Sequence, residues 1–225
     1  MKNLIKRLEE LLELNEIKLS LLQIGLLENY VHNLLHFNKQ INLISKNDEK
    51  YIYERHIIPC LIFSRLFENF DQSVLDIGTG GGMPGLIFAI YHQKSLSTLI
   101  DSKNKKIRVV RNIVQKIGLD NVLAIWTRAE DPMFINQYKK SFNLILSRAT
   151  ADLMTLIKYS TPLVKDIKSK LAVMKGGDEL DEEIDLAKKH FGYIAIKKIP
   201  LSYLPENPNN CNKKFAVIVE NLDEG

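Results

Sequence analysis

Apolar positions in the first 70 residues recur at helical spacing. Over 2–18, Leu4, Leu8, Leu11 and Leu12 share a face from which Glu9, Glu10, Glu13 and Glu16 are largely absent, which predicts an amphipathic helix. Residues 20–40 repeat the pattern through Leu27, Tyr30, Val31, Leu34 and Leu35. Asp48 is placed to cap a third helix running towards His56. Pro59 predicts a break or a new start, because proline has no amide to donate. Residues 1–70 therefore read as an N-terminal helical cap.

From Ser73 the period changes. Short apolar runs at 74–77, 96–100, 122–126, 142–146 and 170–174 predict buried strands. Helical patterns lie at 83–91, 105–117 and 153–164, and again through Leu180, Ile184, Ala187 and Phe191. Strand and helix alternate, which predicts a parallel sheet with helices on both faces. Two late strands, near 193–199 and 214–220, are joined by the turn-rich Pro205 to Asn212 with no helix between them. They are expected to pair antiparallel. Residues 71–225 thus read as one α/β unit, a Rossmann-like doubly wound sheet ending in an antiparallel hairpin.

Composition changes this picture little. At 225 residues, 45% of them hydrophobic, the chain can bury a core without disulfide or metal staples. Cys60 and Cys211 fit no zinc-ligand spacing, so no metal is expected. The two cysteines fit a reduced, cytoplasmic setting. Acids interrupt the first ten residues, unlike a signal peptide, and no apolar run approaches the roughly 20 residues of a membrane span. A soluble protein without membrane partners is expected, and one small domain suggests a monomer. The net charge of +4 arises entirely after residue 70, since residues 1–70 carry nine basic and nine acidic groups. An anionic partner is compatible with that bias, and so is an ordinary surface.

The strongest chemical signal is Asp76-Ile77-Gly78-Thr79-Gly80-Gly81-Gly82-Met83-Pro84-Gly85, between a strand and a helix. Glycines there let a ligand approach the main chain. The pattern is Asp-x-Gly-x-Gly-x-Gly, with Met83 where a dinucleotide fingerprint has its third glycine. Asp76 suits a ligand that carries an amino group better than a pyrophosphate. Asp101 ends the second strand, where an acid accepts from both hydroxyls of a ribose, or caps the following helix. Ala129 and Glu130 follow the third strand, where an adenine ring lies in such folds, although Glu130 also suits a helix start. Loop and Asp101 together imply an adenosine-containing ligand.

These segments resemble the bacterial 16S ribosomal RNA guanine-N7 methyltransferases, also called the glucose-inhibited division protein B family. The resemblance rests on Asn38, Ile41-Asn42-Leu43 and Arg55-His56, the loop with its Met83-Pro84-Gly85 ending, and Asp101-Ser102 with Lys105-Lys106. Arg128-Ala129-Glu130 and Ser147-Arg148-Ala149 complete it. It implies a class I S-adenosylmethionine-dependent methyltransferase fold and, as target, the guanine at position 527 of 16S rRNA in the small subunit. By resemblance Asp76, Gly78, Gly80, Gly82 and Met83 form the cofactor loop. Asp101 and Ser102 hold the adenosine side, Ala129 and Glu130 the adenine side, and Arg148 sits beside the cofactor facing substrate. Pro59-Cys60 stand where the family commonly has Asp-Ser, Asn143 where an acid is common, and Gly81 where Ala or Pro is frequent.

Methyl transfer to guanine N7 uses an in-plane lone pair and removes no proton, so it needs positioning rather than a general base. The sequence offers no evident base. Arg148 suits guanine O6 or a phosphate, or else a structural ion pair. Lys103, Lys105 and Lys106 suit RNA phosphates or a solvated helix face. Arg55 and His56 suit RNA contact or a bond from cap to core, and Cys60 reads as packing. Two other functions stay open: a ribosome assembly or binding factor that keeps this fold, and an NAD-dependent oxidoreductase. Met83, the terminal hairpin and the lack of a second substrate domain disfavour the oxidoreductase.

Overall fold

The computed structural model describes residues 2–205 and 214–223, with side chains from residue 6 onward. Cys211 and most of the expected turn to Asn212 lie outside the described residues. The cap comprises α1 (Lys2–Leu14), α2 (Leu21–Asn38) and α3 (Ile58–Arg65). Ser20 and Gln23 close α2 with reciprocal side-chain-to-backbone bonds, a capping box. The expected helix from Asp48 is instead a 3-10 turn over Lys46–Tyr51 capped by Ser45, followed by a π-turn over Tyr53–Ile57. The Asp48 carboxylate is engaged by Arg55 rather than by a helix start. Pro59 lies in the first turn of α3, but Ile57 and Ile58 are helical, so the chain neither breaks nor starts anew there; the π-turn runs directly into α3.

The α/β unit runs β1 (Ser73–Ile77), α4 (Gly85–Tyr91), β2 (Leu96–Asp101), α5 (Asn104–Ile117), β3 (Val122–Trp126), α6 (Pro132–Tyr138), β4 (Leu144–Arg148), α7 (Leu153–Ser160), β5 (Lys170–Gly176), α8 (Leu180–His190), β6 (Ala195–Pro200) and β7 (Lys214–Glu220). The chain pattern did not predict α6. Asp131 caps it through the amides of Met133 and Phe134, and Pro132 opens it. The strands form one seven-stranded sheet in the order β3-β2-β1-β4-β5-β7-β6. β1 to β5 pair parallel, and β7 pairs antiparallel with both β5 and β6.

Side chains alternate across the sheet and feed two cores. On one face Leu11, Leu27, Tyr30, Leu34 and Phe63 of the cap merge with Val74, Leu86, Phe88 and Leu99. On the other, Leu75, Ile145, Val173 and Val217 meet Leu156 of α7 and Ile184 of α8. The side chains of these N-terminal helices thus pack against one face of the sheet and the helices on it.

Candidate functional site

The parallel strands bring the loop after β1, Asp101 at the end of β2, Ala129 and Glu130 after β3, and Arg148 at the end of β4 to one edge of the sheet. In open α/β sheets ligands bind in the crevice beyond that edge. Register fixes the neighbourhood: Ile77 lies beside Ile100 on one side and Ser147 on the other, and Asp101 lies beside Trp126.

The amides of Gly78 and Thr79 both donate to Ile100 O at 2.9 Å, which turns the chain sharply out of β1. Gly78 has φ +72, and a Cβ there would lie 2.0 Å from Thr150 Cγ2, so glycine is required twice over. The Gly80 amide donates to Asp101 Oδ2 at 3.0 Å, and the Lys103 amide donates to Oδ1 at 2.8 Å. Asp101 therefore ties the loop to β2, and each of its oxygens keeps a further lone pair. The formal N-cap of α5 is Lys103.

Asp76 is fully buried. Its Oδ2 accepts from the Gly85 amide at 2.9 Å, and a Cβ on residue 85 would strike that oxygen at 2.6 Å. Oδ1 of Asp76 and the Thr79 hydroxyl are buried without a partner in hydrogen-bond geometry. Burial pushes the Asp76 carboxyl up to about 7, against the pull of the nearby Thr79 hydroxyl and the Gly85 amide. Met83 and Ala129 are buried beside the loop and after β3, whereas Ser102 and Glu130 are exposed. Glu130 pairs with Arg128 at 3.4 Å.

Arg148 makes no ion pair within the described residues. Its Nη2 donates to His56 Nδ1 at 2.8 Å, and its Nη1 lies 3.5 Å from Cys60 Sγ. Burial pushes His56 down to about 4, and the Arg148 charge adds to the shift. The ring is neutral at pH 7. Since arginine only donates, Nδ1 accepts and the proton resides on Nε2, 3.4 Å from Asp48 Oδ2. His56 thus bonds the cap to the core, with a side chain only 12% exposed. Arg55 faces outward enough to pair with Asp48 and to stack over Tyr51. Cys60 is fully buried, and burial pushes its thiol up, so it packs rather than attacks.

Lys103 and Lys105 are exposed and Lys106 half-buried at the start of α5, with no carboxylate partner within the described residues. An open cavity of about 1120 Å³ lies beyond β4 and β5, lined by Arg148, Met174, Lys175, Lys214 and the start of α8. Lys214 was not legible in the sequence as a site residue, because only the insertion of β7 beside β5 carries it there. Tyr30 was read as one apolar position of a helix, yet its hydroxyl donates to Gly81 O beneath the loop. No group of His, Cys, Asp and Glu among the described residues could hold a metal, and no described helix is long and apolar enough to cross a membrane.

Comparison with solved structures returns the fold. TYW2 from P. horikoshii in complex with MeSAdo superposes with TM-score 0.55 at 14% identity, covering 73% of this chain and 62% of that one. An rRNA methylase from Streptococcus thermophilus gives 0.51 at 16% identity, over 73% of this chain and 94% of that one. Sequence comparison is more specific. The ribosomal RNA small subunit methyltransferase G of Chlorobaculum tepidum is 31% identical over 96% of this chain and 99% of its own length. That of Mycoplasma capricolum is 34% identical over 71% of this chain and 68% of its own. The family described as rRNA small subunit methyltransferase G matches residues 23–205, from the second cap helix past the last parallel strand. With the sheet order, the glycine cradle and this match in agreement, the chain belongs to the rRNA small subunit methyltransferase G family.

Proposed function

We propose that this protein transfers the methyl group of S-adenosylmethionine to N7 of guanine 527 in 16S ribosomal RNA, leaving S-adenosylhomocysteine. The observation that carries this reading is the single family match spanning both the cap and the loop of positive-φ glycines. Residues 1–70 act as a cap and residues 71–225 as the methyltransferase unit.

The residues present fit the cofactor. The Gly78 turn leaves no side chain on its main chain, Asp101 retains acceptor capacity for two ribose hydroxyls, and the buried Asp76 Oδ1 lacks a partner. Gly78, Gly80, Gly82 and Met83 would line it, Asp101 and Ser102 would hold the ribose, and Ala129 and Glu130 would border the adenine. When bound, S-adenosylmethionine supplies an electrophilic methyl group on a sulfonium. The chain's own task is geometric: Arg148 positions the substrate so that the N7 lone pair of the guanine meets that methyl group in line, and no side chain receives a proton.

The test is methyl incorporation from labelled S-adenosylmethionine into small subunits lacking the modification, followed by chemical cleavage at 7-methylguanine. Cleavage at the expected guanine is the predicted result. Cofactor binding without incorporation would favour an assembly or binding role.

A further inference from the structure

Three cations line the cavity beyond β4 and β5, and they are not equivalent. Lys175 is neutralised by Glu183 at 2.7 Å. Arg148 and Lys214 have no carboxylate within 4.0 Å among the described residues. The Lys214 ammonium is held by a neutral group: it donates to Arg55 O at 2.9 Å. In an α-helix the donor to that carbonyl would be the amide of residue 59, which is proline and has none. A carbonyl of the cap that Pro59 cannot engage thus accepts from a lysine of β7, and that bond ties the lysine to the rim of the cavity.

The Arg148 and Lys214 charges repel each other and each is hydrogen-bonded to a neutral group, so an anion beside them is favoured. Burial pushes Lys214 down to about 8, and the Arg148 charge adds to the shift. The groups around Lys214 are Arg148 on β4, Cys60 on α3, Asp48, Arg55 and His56 from the cap, and the Tyr203 ring. Most acids of the cavity, Glu179 and Glu182 among them, come from the α8 side, and Asp152 lines it from the start of α7. That division suits the reaction, because positive charge moves onto the base as N7 is methylated. Acids beside the base favour that charge, whereas cations there would oppose it, so the cations suit the backbone.

We propose that Lys214 and Arg148 form a clamp for an RNA phosphodiester adjoining the target guanine, with Lys214 held in place by the Arg55 carbonyl, which Pro59 has no amide to engage. This rests on the rRNA methyltransferase reading. The test compares wild type with Lys214→Gln, which retains a donor for Arg55 O and loses the charge, and with Lys175→Gln.

Lys214→Gln is expected to raise KM for small subunits about tenfold at low salt and to flatten the salt dependence of log KM by about one unit of slope. Its kcat and S-adenosylmethionine affinity should stay near wild type, and Lys214→Arg should restore the slope. Lys175→Gln should leave the slope unchanged. Pro59→Ala, which returns an amide to compete for Arg55 O, should raise KM in the same direction while β7 is untouched. A wild-type slope in Lys214→Gln, or a wild-type KM in Pro59→Ala, would overturn the clamp alone. Absence of methylation by wild type would overturn the underlying reading and the clamp with it.

Discussion

The Tyr30 hydroxyl donates to the carbonyl of Gly81 at 3.0 Å, so a helix of the cap supports the cofactor loop from below. Tyr30 is fully buried, and burial holds its hydroxyl protonated well above the ordinary range. Tyr30→Phe would leave a buried carbonyl unpaired, at a cost of about 1–3 kcal/mol. Denaturant unfolding should show that loss, and calorimetry should show weaker S-adenosylmethionine binding because the loop loses its support. Unchanged cofactor affinity would separate the cap from the loop.

Arg148→Ala should reduce methylation at least about 100-fold, since the reaction depends on alignment. S-adenosylmethionine affinity should fall only a few-fold. Single-turnover assays with small subunits check the first, calorimetry the second. Undiminished turnover would remove Arg148 from the site.

Asp101→Ala removes the acceptor of the Gly80 and Lys103 amides together with the proposed ribose contacts. Charge-assisted bonds of this kind contribute about 1.5–3 kcal/mol each, so cofactor affinity should weaken by about 10- to 100-fold. Titration calorimetry would reject the ribose role if affinity held.

His56 makes stability depend on pH. Its folded pKa of about 4 lies below the ordinary 6.5, so the unfolded chain takes up the proton first. The stability that the neutral ring contributes is complete above pH 6.5 and is lost as pH falls towards 4. The loss is at most about 3 kcal/mol. Chemical denaturation across that window should show a shallower fall for His56→Gln, whose side-chain oxygen can still accept from Arg148. Parallel curves would mean that His56 titrates normally.

Gly78 and Gly118 offer a paired test of loop chemistry. Both have positive φ, +72 and +71, but a Cβ at 118 meets open space whereas at 78 it strikes Thr150. Gly118→Ala should cost about 1 kcal/mol and leave the cofactor bound as before. Gly78→Ala should cost more than that and abolish detectable S-adenosylmethionine binding. Equal effects on thermal melting and binding would show that the contact with Thr150 yields easily.

The glycine loop and Asp101 are legible in the sequence because local chemistry dictates them: a turn that only glycine can make, and an acid at a strand end. Alternating apolar runs reveal the sheet for the same reason. α6 is not legible from periodicity, since it has only seven residues and its Met133 points to solvent. Asp48 resembles a helix cap by type, yet Ser45 takes that place and the acid serves Arg55 and His56 instead. His56 and Arg148 are 92 positions apart, and Lys214 reaches Arg55 across 159. No local pattern encodes such meetings, which arise only when α3 packs on the sheet and β7 enters it.

The position of β7 also bears on how the chain can be made. It is the last strand in sequence among those described, yet it lies between β5 and β6, with Ala216 to Val219 buried on both faces. During synthesis β5 and β6 emerge from the ribosome first and cannot join through their final partner. Until residues 214–220 clear the exit tunnel, β5 presents an open apolar edge of the kind that invites pairing with another chain. A nascent chain stalled or truncated before Lys214 would carry its helices, its glycine loop and an unfinished sheet. Entry of residues 214–220 between β5 and β6 is then the step that covers the β5 edge.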